Sequence, residues 1–200
     1  TSEGERVNRH DAIDRAFHWI MAGSVFVLLA TGVFPIIGLE FAWLEIHWIA
    51  GIVLTIVVAF HIVRSFTQGL GSMAVGPSDL KEALDGKTKP GKYSPAQKSM
   101  HAIATILTLV VIVTGLIMFL QIDTPWWERT NEMSESALGW LFFLHGLSTL
   151  GLIAVICLHI YFAIRPEKLF YMRSMIKGWI SKEELVAHHD PQRWTPDKSN

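Results

Sequence analysis

The sequence has little cysteine and little charge. Its one cysteine, Cys157, excludes an internal disulfide framework, a CxxC zinc site and a cysteine-held iron–sulfur cluster. Charged residues make up 18% of the 200 positions, against roughly 25% in a typical soluble domain. A net charge of −1 gives no basis for recognising nucleic acid. Glycine and proline are near average abundance, which excludes a fibrous or disordered chain. What is plentiful is apolar residues, at 50%, together with nine histidines and eight tryptophans.

The shortage of charge is concentrated. Residues 17–39, 46–63, 99–122 and 136–164 contain no Asp, Glu, Lys or Arg. Each run is long enough to cross a bilayer as a helix. The first run exceeds the apolar core of a signal peptide. Its ending, Pro35-Ile36-Ile37-Gly38-Leu39, lacks a small-residue cleavage pattern, so it is expected to be a span. The fold class follows: all-α, an integral membrane four-helix bundle. Residues 1–16 precede it, residues 17–164 form it, and residues 165–200 make an interfacial helix and tail.

Lysine and arginine set the expected orientation. Residues 1–16 hold three, residues 64–98 hold six and the tail from Arg165 holds seven, whereas the other two connections hold only Arg129. Both termini and the middle loop are therefore expected on the cytoplasmic side. Trp43, Trp48, Trp126, Trp127 and Trp140 then fall near the outer interface, and Trp19 and Trp179 near the inner one. Residues 77–86 have the proline, early acid and closing glycine of a short helix. Residues 169–180 mix apolar and basic side chains as an interfacial helix does.

Six histidines lie in or beside the spans: His18, His47, His61, His101, His145 and His159. Ionisable groups at membrane depth are costly and are functional candidates by default. His47 and His61 are 14 apart, and so are His145 and His159. Two heptads keep both members of a pair on one helix face, about 21 Å apart along the axis. That separation is too long for one metal ion and suits two cofactors stacked across a bilayer. Facing imidazoles with a flat cofactor between them describe bis-histidine heme ligation. The outer heme takes His47 and His145. The inner heme takes His159 with one of His18, His61 and His101, and periodicity favours His61. No CxxCH is present, so both groups are expected to be noncovalent heme b. Glycines 23, 32, 51, 115, 146 and 151 offer close-packing positions. Zinc and di-iron sites fit less well, since the runs hold no carboxylate and no histidine box. The tail pair His188-His189 is expected to be solvated.

These residues together resemble the cytochrome b (gamma) subunit of respiratory formate dehydrogenase, with its thiosulfate reductase and hydrogenase relatives. The resemblance rests on Asp14-Arg15-Ala16-Phe17-His18-Trp19, Leu44-Glu45-Ile46-His47 and Gly91-Lys92-Tyr93-Ser94-Pro95-Ala96-Gln97-Lys98. It continues through Leu144-His145, His159-Ile160-Tyr161 and His188-His189-Asp190-Pro191-Gln192-Arg193-Trp194. It implies His47 and His145 on the outer heme, and His18 with His159 on the inner one, in place of His61. It implies a menaquinone or ubiquinone site beside the inner heme, near Tyr93, Ser94, Gln97 and His101. Ser94 stands where the family has asparagine, and His61 and His101 lie outside its ligand pattern. His61, His101 and Lys98 are candidates to supply protons. The implied partners are an iron–sulfur subunit and a molybdenum or tungsten catalytic subunit, in a bacterial or archaeal cytoplasmic membrane. The chain itself would carry electrons and leave substrate catalysis to its partner. The alternatives are the cytochrome b anchor of a nickel–iron hydrogenase or thiosulfate reductase, and a non-redox, histidine-containing transporter.

Overall fold

A computed structural model describes residues 5–68, 73–85, 88–130 and 132–195. The elements in chain order are β1 (Arg6–Asn8), α1 (Ala12–Val33), α2 (Trp43–Gln68), α3 (Pro77–Asp85), α4 (Pro95–Phe119), α5 (Glu135–Ile164), a 3-10 turn (Pro166–Lys168), α6 (Leu169–Lys177), β2 (Trp179–Ser181) and α7 (Lys182–His188). Four helices, α1, α2, α4 and α5, are long and apolar enough to cross a membrane. The charge-free runs found them, with shifted ends.

The shifts have local causes. Helix α1 begins before the first apolar run because the Asp11 carboxylate accepts the Asp14 N–H at 2.7 Å, an N-cap. It ends at Val33 because Pro35 has no N–H to continue the ladder. The chain turns over residues 34–38, and Gly38 takes φ +89°. Helix α4 starts at Pro95 because Ser94 and Gln97 form a reciprocal cap. The Ser94 N–H donates to Gln97 Oε1 at 2.9 Å, and the Gln97 N–H donates to Ser94 Oγ at 3.3 Å. The expected closing Gly86 of α3 and its neighbour Lys87 lie outside the described residues.

The chain divides into two compact units, and each of the four long helices contributes to both. One unit comprises Trp19–Ile62 and Ile103–Val155. Its inward positions are small or polar: Ser24, Ala50, Thr31, Thr114 and Ser148 are buried beside Leu54 and Leu152. Its large apolar residues, such as Phe26, Ile56, Ile106, Val113, Phe142 and Leu150, face outward. That inversion is what a lipid-facing bundle requires, since close approach comes from small residues and lipid covers the rest.

The other unit comprises Thr1–His18, Val63–Ala102 and Ile156–Asn200. Its core is Phe170, Ile180 and Leu185, with Val7, Tyr171 and Trp194 packed against it. Strands β1 and β2 pair antiparallel, with Val7 opposite Ile180. The interfacial helix expected over residues 169–180 therefore stops at Lys177. Gly178 adopts φ +91°, its N–H caps the helix at the Ser174 carbonyl, and its own carbonyl accepts the N–H groups of Arg9 and His10 at 2.8 and 3.1 Å. Two ion pairs hold α3 in this unit. Lys98 Nζ meets the buried Asp79 Oδ1 at 2.8 Å, and Arg193 Nη1 meets the buried Glu82 Oε2 at 2.6 Å.

Candidate functional site

His47 stands in the first turns of α2 and His145 in α5. Their ring centroids are 6.3 Å apart, with planes inclined by 62°. His18, on α1, faces His159, on α5, with centroids 6.2 Å apart and planes inclined by 48°. Of the six histidines marked in the sequence, these four form two pairs. His61 and His101 belong to neither pair. The two pairs also follow chain order: α5 supplies one member of each.

The spacing has a chemical meaning. An imidazole nitrogen sits about 2.0 Å from a first-row metal ion, and the ring centre about 1 Å farther back. Two imidazoles on opposite sides of one ion thus have centres about 6 Å apart. Both pairs match that figure. Among the described residues no cluster of three or more His, Cys, Asp or Glu is gathered to hold a metal ion. Each pair of imidazoles would hold a metal ion only with further donors from a cofactor such as a porphyrin, so the residues present fit heme.

The surroundings of the His47–His145 pair are specific. Thr31 Oγ1 lies 2.8 Å from His47 Nδ1, and Thr114 Oγ1 lies 2.8 Å from His145 Nδ1. Both threonines are buried. Gly32 and Gly115 follow them directly. A Cβ on Gly32 would stand 3.7 Å from His47 Cε1, and one on Gly115 only 3.3 Å from His145 Cε1. The ring of His145 therefore uses the space that any other residue at 115 would fill. The expected packing glycines Gly23 and Gly146 have nothing within 4 Å of such a Cβ, whereas a Cβ on Gly151 would stand 3.1 Å from Leu107 Cδ1.

The sequence reading missed the threonines. Their signal was present: Thr31-Gly32 and Thr114-Gly115 are the same dipeptide on the helices that precede the two histidine-bearing ones. A hydroxyl in an apolar run reads as helix packing until its partner is known.

The residues expected around a quinone are differently placed. Ser94 and Gln97 bind each other's backbone in the α4 cap. Tyr93 has His10 at a ring-centroid distance of 6.4 Å and the Arg9 guanidinium 5.6 Å from its ring centre. Burial raises the Tyr93 phenol above its ordinary value and pushes His10 down to about 3. Tyr93 is thus a neutral phenol and His10 a neutral imidazole at physiological pH. Lys98, a candidate proton donor, is paired with Asp79, and Arg64 binds Asp11 and Asp14 at 2.7 and 3.2 Å.

The tail histidines are not a solvated pair, although His188 is only half-buried. His189 is fully buried, with Nδ1 2.7 Å from the Gly91 carbonyl and Nε2 3.0 Å from Arg9 Nη1. His188 stacks on Phe170 at 4.6 Å. The Gly91–Lys92–Tyr93 loop and the His188–His189 tail, two separate motifs in the sequence, are one contact in space.

A family model described as prokaryotic cytochrome b561 matches residues 9–178. The chain belongs to this family. As a cytochrome b it is a multi-pass membrane protein of a heme b class, and its resemblance to the cytochrome b subunit of formate dehydrogenase is borne out. The "Formate dehydrogenase, cytochrome b556 subunit" of Haemophilus influenzae is 25% identical, over 96% of this chain and 84% of that protein. The nitrate-inducible formate dehydrogenase cytochrome b556(Fdn) subunit of Escherichia coli K12 is 24% identical, over 96% of this chain and 92% of its own length. The cytochrome b556(fdo) subunit of the same organism is 24% identical, over 95% and 92%.

Proposed function

We propose that this cytochrome b is the di-heme membrane subunit of a formate dehydrogenase-type respiratory complex in a bacterial cytoplasmic membrane. It carries electrons between an iron–sulfur subunit and a quinone and leaves substrate oxidation to a molybdenum or tungsten subunit. His47 and His145 hold one heme b, and His18 and His159 hold the other. The observation that carries this reading is the repeated imidazole spacing, 6.3 and 6.2 Å, in two separate pairs. The printed names of the relatives support the choice of complex.

A heme supplies reversible one-electron carriage between its ferric and ferrous states. The protein's own part is to hold facing imidazoles at the observed spacing. The bias of lysine and arginine supports termini and middle loop on the cytoplasmic side. On that orientation the His18–His159 pair is the inner one, in the same unit as Tyr93, Lys98 and His101. A quinone reduced there takes up protons, and His101 with Tyr93 are the side chains of the expected set not committed to capping α4. Ser94 and Gln97 act on the site by fixing where α4 begins.

The test is a reduced-minus-oxidised spectrum of the purified chain with a heme-to-protein ratio. A b-type alpha band with two hemes per chain is expected. His47→Ala and His145→Ala should each remove one heme, and His18→Ala and His159→Ala the other, whereas His61→Ala should keep both. A colourless protein overturns the reading, and retention of both hemes in His18→Ala overturns the inner ligand assignment.

A further inference from the structure

We infer that Thr31 and Thr114 are positioning residues that fix the tautomer and basicity of His47 and His145, so that Nε2 of each ring is the ligating atom. The inference rests on the proposed heme ligation and adds to it the groups that set the ligands' chemistry.

The argument is an accounting of one hydrogen. Thr31 Oγ1 lies 2.7 Å from the Val27 carbonyl oxygen and 3.1 Å from that of Leu28. Thr114 Oγ1 lies 2.7 Å from the Val110 carbonyl oxygen and 3.3 Å from that of Val111. A carbonyl oxygen only accepts, so the single hydroxyl hydrogen is directed at the backbone of the threonine's own helix. The remaining contact, 2.8 Å to the imidazole, is then one in which the hydroxyl oxygen accepts and Nδ1–H donates. A neutral imidazole with its hydrogen on Nδ1 has its lone pair on Nε2.

Back-bonding to the fourth preceding carbonyl is itself ordinary in membrane helices. Ser24, Thr55 and Thr149 do it in the same unit, at 2.9, 2.7 and 2.8 Å. What sets Thr31 and Thr114 apart is the third partner, and that each precedes a glycine beside the ring, closest at Gly115, where a Cβ would stand 3.3 Å from His145 Cε1. The arrangement occurs twice, once from α1 to α2 and once from α4 to α5, with 2.7 Å to the carbonyl and 2.8 Å to the ring each time. A ligating histidine held this way by its outer nitrogen is a stronger donor, and loss of such a partner typically costs 10–100-fold in metal affinity.

A stronger donor favours ferric over ferrous iron, so removing the hydroxyl should raise the midpoint potential. The experiment is a spectroelectrochemical titration of the full chain in membranes. The transition belonging to the His47–His145 heme is identified by its loss in His47→Ala. In Thr31→Val and in Thr114→Val that transition should move upward by about tenfold in ferrous over ferric preference, about 59 mV for one electron. The transition lost in His159→Ala should stay in place, and Thr31→Ser and Thr114→Ser should restore the original value. Each valine variant tests the claim alone if the other fails to accumulate. Both hemes retained with neither transition moved overturns this inference and leaves the ligation intact. A His47→Ala chain that keeps both hemes overturns the ligation itself.

Discussion

Arg9 and His189, 180 positions apart in sequence, meet at 3.0 Å from Nη1 to Nε2, and both are buried. Because Nδ1 of His189 faces the Gly91 carbonyl at 2.7 Å, that nitrogen carries the hydrogen and Nε2 accepts from the guanidinium. Arg9 also donates to the Lys92 carbonyl at 2.7 Å, and its guanidinium lies 4.7 to 5.6 Å from the ring centres of Tyr171, Trp194 and Tyr93. A neutral histidine thus binds the first strand's neighbour to the loop before α4 and to the tail.

Protonating His189 sets a second cation against Arg9. Burial, with Arg9 nearby, pushes its pKa down to about 4 from the model-compound value of 6.5. The unfolded chain therefore takes up this proton first, and stability falls as pH drops from 6.5 toward 4. His10, at about 3, acts in the same direction. Melting followed by tryptophan fluorescence in detergent should show a lower midpoint at pH 5 than at pH 8. His189→Gln should flatten that slope.

Lys98 is a structural partner of Asp79. The carboxylate is buried and receives Lys98 Nζ at 2.8 Å and the Gly76 N–H at 2.7 Å. Removing the lysine leaves a buried charge, a change that costs about 3 kcal/mol in comparable pairs. Lys98→Met should lower the thermal midpoint, and Lys98→Met with Asp79→Leu should recover much of it. Equal destabilisation in the double variant would refute the pairing.

Gly115→Ala places a methyl group 3.3 Å from His145 Cε1, whereas Gly139→Ala meets nothing within 4 Å. The first substitution should reduce occupancy of the heme proposed at His47 and His145, measured as heme per chain. The second should leave it unchanged, although both sit in long apolar helices.

Gly178 combines φ +91° with the His10 carbonyl 3.0 Å from any Cβ. Gly178→Ala should cost at least about 1–2 kcal/mol, the strain of a left-handed L-residue. Faster proteolysis of the tail at unchanged spectral heme content is the expected signature.

The four spans were legible because absence of charge over 18 or more residues is a strong signal that neighbouring helices cannot disguise. Their ends were not, since caps such as Asp11 and the Ser94–Gln97 pair act through one or two hydrogen bonds. The interfacial helix over 169–180 was too long because a left-handed glycine, Gly178, is visible only as a φ angle. His188-His189 looked solvated because the strand pairing and loop contact that bury it arrive from the other end of the chain.

The sequence by itself determined a membrane-spanning helical cytochrome b with histidines at two levels, because hydropathy and periodicity are local and survive without a fold. Spacing paired His47 with His145 but favoured His61 beside His159, where the family resemblance implied His18; the tertiary structure sets His18 opposite His159 and His47 opposite His145. It alone decided that Thr31 and Thr114 stand behind the second pair. The reason is physical: a facing pair of rings depends on the rotation and approach of different helices, which a small residue such as Gly115 permits and no periodicity encodes.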